Sequence, residues 1–539
     1  MKRFETWWKE GVIYQIYPRS FQDSNGDGIG DIPGIISRLD YLQWLGVNAL
    51  WLSPIYQSPM FDFGYDISDY RAIDPVFGTL DDVDKLIQSS HEKGIRIIFD
   101  MVLNHTSSQH AWFKESCTSL DNPKRGFYIW HEGEKGRVPN NWYAAFGGKA
   151  WTFDGQTGQY YLHSFLSQQP DLNWRNPQVV SALFADIQYW LERGVDGFRL
   201  DVINLIIKDR GLTNNPTRLG ATIRPYDMQR HLNDRNQPEA HIKLKEFRSL
   251  MDQYQERMLV GEIMAEKPGE PEVAAAYLGN GNDELNLAFD FSFTWIKWDA
   301  RMWQQAAQRW YHSVPTEGWP CWVFSNHDVE RSFSRFGNIQ GRARIAALFL
   351  LTQKGTPFIY YGEEIGMRDK RVSRMQMQDP VGRKYWPFHP GRDGQRRPMQ
   401  WGEKPGFSSG RSWLPMHPDK TQVNVALQKD DPSSLLSLYH NIISLRNHDD
   451  VLRLGGCDFI ETGMDQVLAY IREYHGETRL IVLNFSNKPI TVSTISLTKA
   501  LENETLRVIF STNGKTVLKD NGQERVELEG YQGIVCGGE

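Results

Sequence analysis

The sequence predicts an α/β fold: a (β/α)8 TIM barrel with a small inserted domain after strand 3 and a C-terminal antiparallel β-sandwich domain. Short apolar runs alternate with helical periodicity over most of the 539 residues, as expected for parallel strands joined by helices. Four of these apolar runs end on an acidic residue or a histidine. From about residue 456 the pattern changes to short alternating runs separated by turn residues, which predicts antiparallel strands.

The predicted barrel strands follow one another in chain order at residues 12–18, 49–54, 95–102, 196–201, 258–262, 287–293, 322–328 and 358–364. In a barrel of this kind, catalytic residues come from the C-terminal ends of several strands. The acids at the ends of the third, fourth, fifth and seventh strands are therefore the candidates: Asp100, Asp201, Glu262 and Asp328.

Arg199 and Asp201 stand two residues apart at the end of the fourth strand. Side chains at positions i and i+2 of a strand point to the same side. A carboxylate at the end of an apolar strand is costly unless a partner compensates it, and we expect Arg199 to keep Asp201 ionised. Taken alone, the pair is equally well explained as a structural ion pair.

The domain boundaries follow from the segments that break the barrel pattern. We predict barrel segments at 1–105 and 175–455, an inserted domain at 106–174, and the β-sandwich domain at 456–539. The insert is rich in Gly, Trp, Tyr, Asn and Pro without a helical period, and long irregular segments inside compact domains are usually functional. It is expected to form one wall of a cleft, with Phe165 lining that wall.

Composition excludes several functional classes. The formal net charge is −6, so no basic surface for nucleic acid is implied. No run approaches 18 apolar residues, no N-terminal signal run is present, and the four cysteines are scattered without a metal-binding or disulfide-dense spacing. These features predict a cytoplasmic protein without membrane or nucleic-acid partners, either a monomer or a weak homo-oligomer.

Four short stretches carry a family resemblance when they are taken together. They are Asp100–His105, Gly197–Asp201, Gly261–Glu262 and Phe324–Asp328, and Gln169–Asn173 adds a fifth. In this order they resemble the conserved regions of the α-amylase family of retaining glycoside hydrolases. The branch they are most similar to contains oligo-1,6-glucosidase and dextran glucosidase.

The resemblance implies a catalytic role for each of three acids. Retaining hydrolysis uses two carboxyl groups roughly 5–5.5 Å apart across the anomeric carbon. Asp201 is the implied nucleophile, and Glu262 is the implied proton donor and later the base that activates water. Asp328 is implied to bind the ring hydroxyls at carbons 2 and 3 and to favour the distorted sugar ring.

The resemblance also implies how a short oligosaccharide would be bound. Tyr65 would stack under the sugar, and His105 and His327 would hydrogen-bond to it. Asp62 and Arg396 would clamp the non-reducing end and so restrict the enzyme to exo cleavage. Arg396 opens a stretch, Arg396–Trp401, that is similar to the branch signature ARTPMQW, with Arg397 replacing its threonine.

A calcium site is predicted directly after the first strand. Oxygen-bearing side chains occupy positions 1, 3, 5 and 9 of a loop with glycine at position 6, which is close to the start of a calcium-binding loop. The family branch carries such a loop, so the resemblance implies a structural rather than catalytic ion. The predicted ligands are Asp23, Asn25, Asp27, Ile29 and Asp31. The alternative is a solvated turn rich in Asp and Gly.

Linkage specificity depends on weaker signals. Val202 follows the implied nucleophile, and in this branch valine accompanies α-1,6 activity whereas threonine accompanies α-1,4 preference. We expect α-1,6 links to be preferred, with an α-1,4 or mixed enzyme that also transglycosylates as the alternative. A sucrose isomerase-type transglycosylase would carry an RLDRD-type loop, which residues 330–337 lack. A non-catalytic amylase-like binding protein would have lost catalytic acids, whereas this sequence keeps them all.

Overall fold

The computed structural model describes residues 6–133, 136–218, 220, 223–267, 269–402, 406–493, 506–514, 518–519 and 525–538. Eight parallel strands form its central sheet: β1 (Ile13–Ile16), β2 (Ala49–Leu52), β3 (Arg96–Val102), β4 (Gly197–Asp201), β5 (Met258–Glu262), β6 (Leu287–Phe289), β7 (Cys321–Val323) and β8 (Thr356–Tyr360). Their order is β6-β5-β4-β3-β2-β1-β8-β7, which is a barrel nearly closed between β6 and β7. The predicted TIM barrel is confirmed.

Strand side chains divide between two apolar layers, as the two-residue period of a strand requires. One face fills the inside of the barrel, where Trp51, Ile98, Val260 and Phe289 lie in a single cluster. The opposite face contacts the surrounding helices and belongs to the largest core of the molecule. Burial on both faces explains why these strands are continuous apolar runs in the sequence.

The α-helices are Trp7–Glu10, Ile32–Ser37, Leu39–Leu45, Leu80–Glu92, Ala111–Ser116, Pro177–Glu192, Glu239–Met251, Pro271–Ala276, Ala300–Ser313, Ser332–Arg335, Gln340–Thr352, Pro380–Tyr385, Val425–Gln428, Leu435–His448 and Asp450–Leu454. Several begin at a capping side chain; the Asn176 side chain accepts from the Gln178 amide, for example, and so caps the helix before β4. The helices Pro177–Glu192 and Glu239–Met251 precede β4 and β5, as the predicted alternation of helices and strands requires.

Strands β6, β7 and β8 are shorter than the sequence predicts. β7 ends at Val323 rather than at Asp328. Beyond it the Asn326 side-chain oxygen accepts from the amides of Asp328 and Val329, which turns the chain out of the sheet. The polar residues of this segment thus lie on a loop above the strand instead of within it.

The two additional domains are present where the pattern breaks. Within the insert, Trp130–His131, Gln159–Leu162 and Trp151–Asp154 form a three-stranded antiparallel sheet. In the C-terminal domain, Gly456–Ile460, Val467–Tyr474, Glu477–Asn484, Gly533–Gly538 and Leu506–Ser511 form one antiparallel sheet, and Ile490–Ser493, Arg525–Leu528 and Leu518–Lys519 form another. The prediction of an antiparallel C-terminal domain is confirmed.

None of the helices in the described part of the chain combines the length and the hydrophobicity that crossing a bilayer requires. The cysteines Cys117, Cys321, Cys457 and Cys536 are free thiols.

Candidate active site

The strand register brings the predicted acids to one end of the barrel. Asp100 of β3 pairs with Arg199 of β4, and Val102 pairs with Asp201. On the other side of β4, Val260 of β5 pairs with Arg199, which places Glu262 just beyond it. Asp100, Asp201 and Glu262 therefore surround the Arg199 guanidinium at the C-terminal ends of three adjacent strands.

Arg199 is the centre of this group and is only 1% exposed. Its Nη1 donates to Asp100 Oδ1 at 2.7 Å and to Asp201 Oδ1 at 2.8 Å. Its Nη2 donates to Glu262 Oε2. One guanidinium thus orients three carboxyl groups, and the fork of N–H donors fixes their relative positions.

The electrostatics of Asp201 differ from the expectation that Arg199 keeps it ionised. Burial raises the pKa of Asp201 well above 3.8 although Arg199 acts to lower it, and repulsion from Glu262 and Asp100 adds to the increase. Burial likewise raises the pKa of Asp100 to about 6 in spite of Arg199. Three acids share one positive charge away from water, so the group tends to retain a proton.

Tyr65 and His327 continue this network towards the opposite side of the barrel. The Tyr65 hydroxyl donates to Asp100 Oδ2 at 3.0 Å and lies 2.7 Å from His327 Nε2. The two rings are stacked with centroids 5.4 Å apart. His105 Nε2 lies 3.0 Å from the Tyr65 carbonyl oxygen. The His105 ring packs on Phe165 with the two ring centroids 5.3 Å apart. The structure therefore brings these four predicted residues together beside the acids.

Both histidines are held in the neutral form. Burial lowers the pKa of His327 to about 3, although nearby Asp328 favours its protonation. Burial also lowers the pKa of His105 to about 4. Neutral imidazoles can both donate and accept a hydrogen bond, which suits contact with sugar hydroxyls.

In the structure, Asp62 forms its ion pair with an arginine other than Arg396, its partner in the predicted clamp. Asp62 Oδ1 accepts instead from Arg392 Nη2 at 2.6 Å. Arg392 also donates to Asp379 at 2.7 Å and to Asp328 at 3.2 Å, so it joins three carboxylates. Arg396 donates to Asp328 Oδ1 at 2.6 Å and to the His327 carbonyl at 2.9 Å. Arg396 thus holds Asp328 and the backbone beneath it, whereas Arg392 holds Asp62.

Asp328 lies beyond the end of β7 with its side chain 32% exposed. Burial alone would raise the pKa of its carboxyl, but His327, Arg392 and Arg396 outweigh that cost and lower the pKa far below 3.8. Asp328 therefore stays a carboxylate while a proton is retained around Arg199. The sequence analysis did not identify Arg392 as a site residue. The sequence feature that could have indicated it is its position four residues before Arg396, directly followed by Asp393.

Val202 leaves β4 in an unusual conformation. Its φ of 35° and ψ of 44° are left-handed, which is rare and strained for a β-branched residue. The side chain is buried in a small apolar cluster with Phe165, Leu205 and Tyr226, and the backbone amide faces Glu262 Oε2 at 3.4 Å. The turn links the end of β4 to the wall formed by the insert, so Val202 bridges two parts of the site.

A cavity of about 250 Å³ opens beside Glu262 and Asp328. Its lining is mainly apolar and aromatic and includes Met264, Phe289, Phe291 and Trp295. Trp295 is 62% exposed, which is unusual for so large an apolar side chain. Glu262 and Asp328 both line this cavity, and Asp328 connects it to the Asp62–Arg392 ion pair through Arg392.

The loop predicted to bind calcium is stabilised by its own side chains. Asp23 accepts from the amides of Asn25, Gly26 and Gly28, and Asp27 accepts from the Ile29 amide. Asp31 accepts from Ser24 and caps the helix that follows. Among the described residues, no three His, Cys, Asp or Glu side chains are arranged as a metal site. The oxygen donors are nevertheless of the type calcium prefers.

Comparison with known proteins gives two family matches and three informative relatives. Residues 15–455 match the alpha amylase catalytic domain, and residues 457–534 match the maltogenic amylase C-terminal domain. An oligo-1,6-glucosidase of Halalkalibacterium halodurans is 43% identical over 514 residues, 89% of this chain and 90% of the relative. The crystal structure of an alpha-glucosyl transfer enzyme, XgtA, superimposes with a TM-score of 0.92 at 39% identity, covering 99% of this chain and 100% of XgtA. The trehalulose synthase MutB of Pseudomonas mesoacidophila superimposes with a TM-score of 0.88 at 33% identity and full coverage of both chains.

Proposed function

The chain belongs to the α-amylase family of glycoside hydrolases, and on that premise we propose that it is an exo-acting retaining α-glucosidase. It releases glucose from the non-reducing end of short α-glucosides. The observation that carries the proposal is the convergence of three acids: Asp201 and Glu262 at the ends of adjacent strands share Arg199, and Asp328, on the loop after β7, lines one cavity with Glu262. The Asp62–Arg392 ion pair lies beside Asp328. Catalytic residues lie at this end in TIM-barrel enzymes.

Asp201 and Glu262 have different roles in the two steps of the reaction. Asp201 attacks the anomeric carbon and forms a β-glucosyl-enzyme, while Glu262 donates a proton to the leaving oxygen. Glu262 then removes a proton from water, which displaces Asp201 and restores the α configuration. The raised pKa of Asp201 supports a pair that holds one proton, and nucleophilic attack requires that proton to reside on Glu262 when substrate is bound.

Asp62 and Arg392 close the far side of the glucose site. Their ion pair is nearly buried, and Asp379 supports it from behind. A chain that enters from the open side can place only one glucose beyond the cleaved bond, so cleavage is exo. Asp328 remains a carboxylate beside this wall and is available to accept hydrogen bonds from two ring hydroxyls.

We propose α-1,6 links as the preferred substrates. The support is the naming of a 43% identical relative as an oligo-1,6-glucosidase, together with valine at position 202. A second candidate activity is glucosyl transfer, including sucrose isomerisation, because two solved structures of high similarity carry those names. The largely apolar cavity beside Glu262 favours transfer to an acceptor that excludes water.

Product analysis tests these activities directly. The enzyme is incubated with isomaltose, maltose and sucrose, and glucose, transfer products and isomerised sucrose are quantified. Faster release of glucose from isomaltose than from maltose supports the α-1,6 assignment. Trehalulose or isomaltulose as the main product from sucrose would favour isomerisation, and no cleavage of any α-glucoside would refute the proposal.

We also propose that the Asp23–Asp31 loop binds a structural calcium ion. Asp23, Asn25, Asp27, Asp31 and the Ile29 carbonyl would supply hard oxygen ligands. The ion would hold together the loop that connects β1 with the following helix. The chain's own residues perform the chemistry, so calcium would affect stability rather than the reaction steps.

We further infer a reducing compartment such as the cytoplasm, which the free thiols support. A monomer or weak homo-oligomer stays a prediction, for which light scattering in solution is the test.

A further inference from the structure

Gln15 of β1 lies beneath the site and contacts the histidine that faces the glucose position. It is 1% exposed, and its Nε2 lies 2.8 Å from His327 Nδ1. Within the described part of the chain, the other hydrogen-bond neighbour of that amide nitrogen is Ser53 Oγ at 3.5 Å. Nothing in the reaction described above uses this residue. A buried amide aimed at a ring nitrogen can decide which nitrogen of the ring carries the proton.

The opposite ring nitrogen, Nε2, has two neighbours. Tyr65 Oη lies 2.7 Å away, and Asp328 Oδ2 lies 3.2 Å away. Asp328 is a carboxylate and can only accept. The Tyr65 hydroxyl donates its proton to Asp100 Oδ2, so towards His327 the Tyr65 oxygen is an acceptor. Both neighbours therefore require a proton on Nε2.

We infer that Gln15 is a positioning residue that fixes His327 in the Nε2–H tautomer. A neutral imidazole with its proton on Nε2 has a lone pair on Nδ1, and the Gln15 amide donates to that lone pair. The reverse amide orientation would demand an Nδ1–H proton. It would then leave the Nε2 lone pair facing the Asp328 carboxylate and would take the Tyr65 proton away from Asp100.

The chain of donors runs in one direction through the site. Gln15 donates to His327, His327 donates to Tyr65 or to Asp328, and Tyr65 donates to Asp100, which also accepts from Arg199. When glucose is bound, the Nε2–H group is the donor that a sugar hydroxyl beside Asp328 would meet. This last step rests on the proposed α-glucosidase function, whereas the tautomer assignment does not.

The tautomer is read from the ¹⁵N signals of His327 in histidine-labelled enzyme. The signal is assigned by its loss in His327→Gln. We expect a protonated Nε2 and an unprotonated Nδ1 in the wild type. Gln15→Glu replaces the donor with a carboxylate of the same size, which accepts from Nδ1, so the proton should appear on Nδ1. A wild-type Nδ1–H signal, or a Gln15→Glu enzyme with unprotonated Nδ1, would overturn the inference.

Kinetics give the second readout, because a wrong tautomer removes a hydrogen bond in the transition state. Gln15→Glu and Gln15→Met should each lower kcat/KM for an α-glucoside by about 100-fold. Losses of this order are typical when a residue that hydrogen-bonds to a functional histidine is replaced. Gln353→Met is the matched control, since Gln353 is equally buried but contacts Tyr311 near the C-terminal domain. Equal losses in Gln15→Met and Gln353→Met would overturn the positioning role.

The pH profile separates positioning from general destabilisation. In Gln15→Glu the new carboxylate should raise the pKa of His327, so an additional ionisation should appear in kcat/KM on the acidic side. The charged or titratable groups that face His327 are Asp328, Arg396, Arg199, Arg392, Tyr65 and Tyr17. They are unchanged in all variants. An inactive wild type would refute the proposed function and leave the ¹⁵N assignment intact.

Discussion

Asp201 and Glu262 both accept a hydrogen bond from Arg199. Their variants are expected to differ only with substrates whose leaving group needs no proton. Asp201→Ala should lower kcat by several orders of magnitude for every substrate, because it removes the nucleophile. Glu262→Gln should have a similar effect on isomaltose. With a substrate whose leaving group needs no proton, Glu262→Gln should recover in the first step, which is measured as a burst of released leaving group.

The unfolding midpoints of both variants should stay close to that of the wild type, which serves as the control for folding. Turnover by Asp201→Ala at a near-normal rate would contradict the assignment of the nucleophile.

Arg392 provides a second test among single residues. Arg392→Met should raise KM for isomaltose by roughly 100-fold or more, since it leaves Asp62, Asp328 and Asp379 without their shared partner. Arg397→Met is the matched control: Arg397 is also buried, but it donates to the backbone carbonyls of Lys370, Pro415 and Met416. The KM of Arg392→Met divided by the KM of Arg397→Met measures the contribution of Arg392 to substrate binding. A ratio near one would show that Arg392 acts only in folding.

The sequence allowed the acids of the site to be predicted but not the arginine that closes it. Asp100, Asp201 and Glu262 end apolar strands, and strand order alone brings such ends together. Arg392 and Arg396 lie on the long segment between β8 and the helix Val425–Gln428, and which of them reaches Asp62 depends on the path of that segment. The left-handed turn at Val202 is likewise invisible, because valine is among the residues least expected to adopt it.

The loop after β1 is the element for which a ligand is predicted. Addition of a chelator should lower the melting temperature of the wild type by several degrees, and calcium should restore it by mass action. Asp23→Ala combined with Asp27→Ala should abolish this calcium-dependent shift. Differential scanning fluorimetry with and without calcium measures the effect.

Magnesium at the same concentration is the control for ionic strength. Loss of activity in a chelated enzyme that remains fully folded would instead indicate a catalytic ion.

At the opposite end of the barrel, the start of β4 is tied to its neighbours through Asp196. This carboxylate is fully buried and accepts from His91 at 2.6 Å, Arg96 at 2.8 Å and the Ile97 amide at 2.9 Å. Burial alone would raise the pKa of Asp196, but these donors outweigh it and lower the pKa below 3.8. A lowered pKa in the folded state stabilises the protein above the unfolded-state pKa, near 3.9.

We therefore expect Asp196→Asn to reduce the free energy of unfolding at pH 7 by about 3 kcal/mol. The difference from the wild type should persist down to about pH 4 and shrink below it, as Asp196 itself becomes protonated. Urea unfolding at a series of pH values measures this. Asp40→Asn is the control, because Asp40 pairs with Lys93 on the exposed surface and should change stability far less than Asp196→Asn does.

For the whole molecule, buried arginines join the barrel to the C-terminal domain. Arg472 is fully buried and donates to the carbonyls of Thr352, Leu452, Gly455 and Gly456. Arg446, from the helix Leu435–His448, reaches the carbonyls of Leu351 and Gly355 in the same region. Arg472 therefore connects Thr352, at the end of a barrel helix, to Gly456, at the start of the first strand of the C-terminal domain.

Arg472→Met should lower the free energy of unfolding by about 3 kcal/mol, since it leaves several buried carbonyls unpaired. Because both domains depend on these contacts, unfolding should remain a single calorimetric transition. Arg479→Met is the control, as Arg479 lies on the neighbouring strand of the same sheet, is partly exposed, and pairs with the carboxylates of Asp449 and Glu477 instead of several buried carbonyls. Two separate transitions in the wild type would contradict this coupling.

The ion pair between Asp62 and Arg392 has a consequence for the order in which products leave. A pocket closed at its far end has a single mouth, and the released glucose lies behind the shortened chain. The chain must therefore depart before the glucose can, and it cannot slide forward for another cut. For each glucose released, the shortened chain must dissociate completely from the enzyme. A long substrate is therefore shortened in separate binding events. The enzyme is distributive by construction, and free glucose, as the last product to leave, competes with every new chain end.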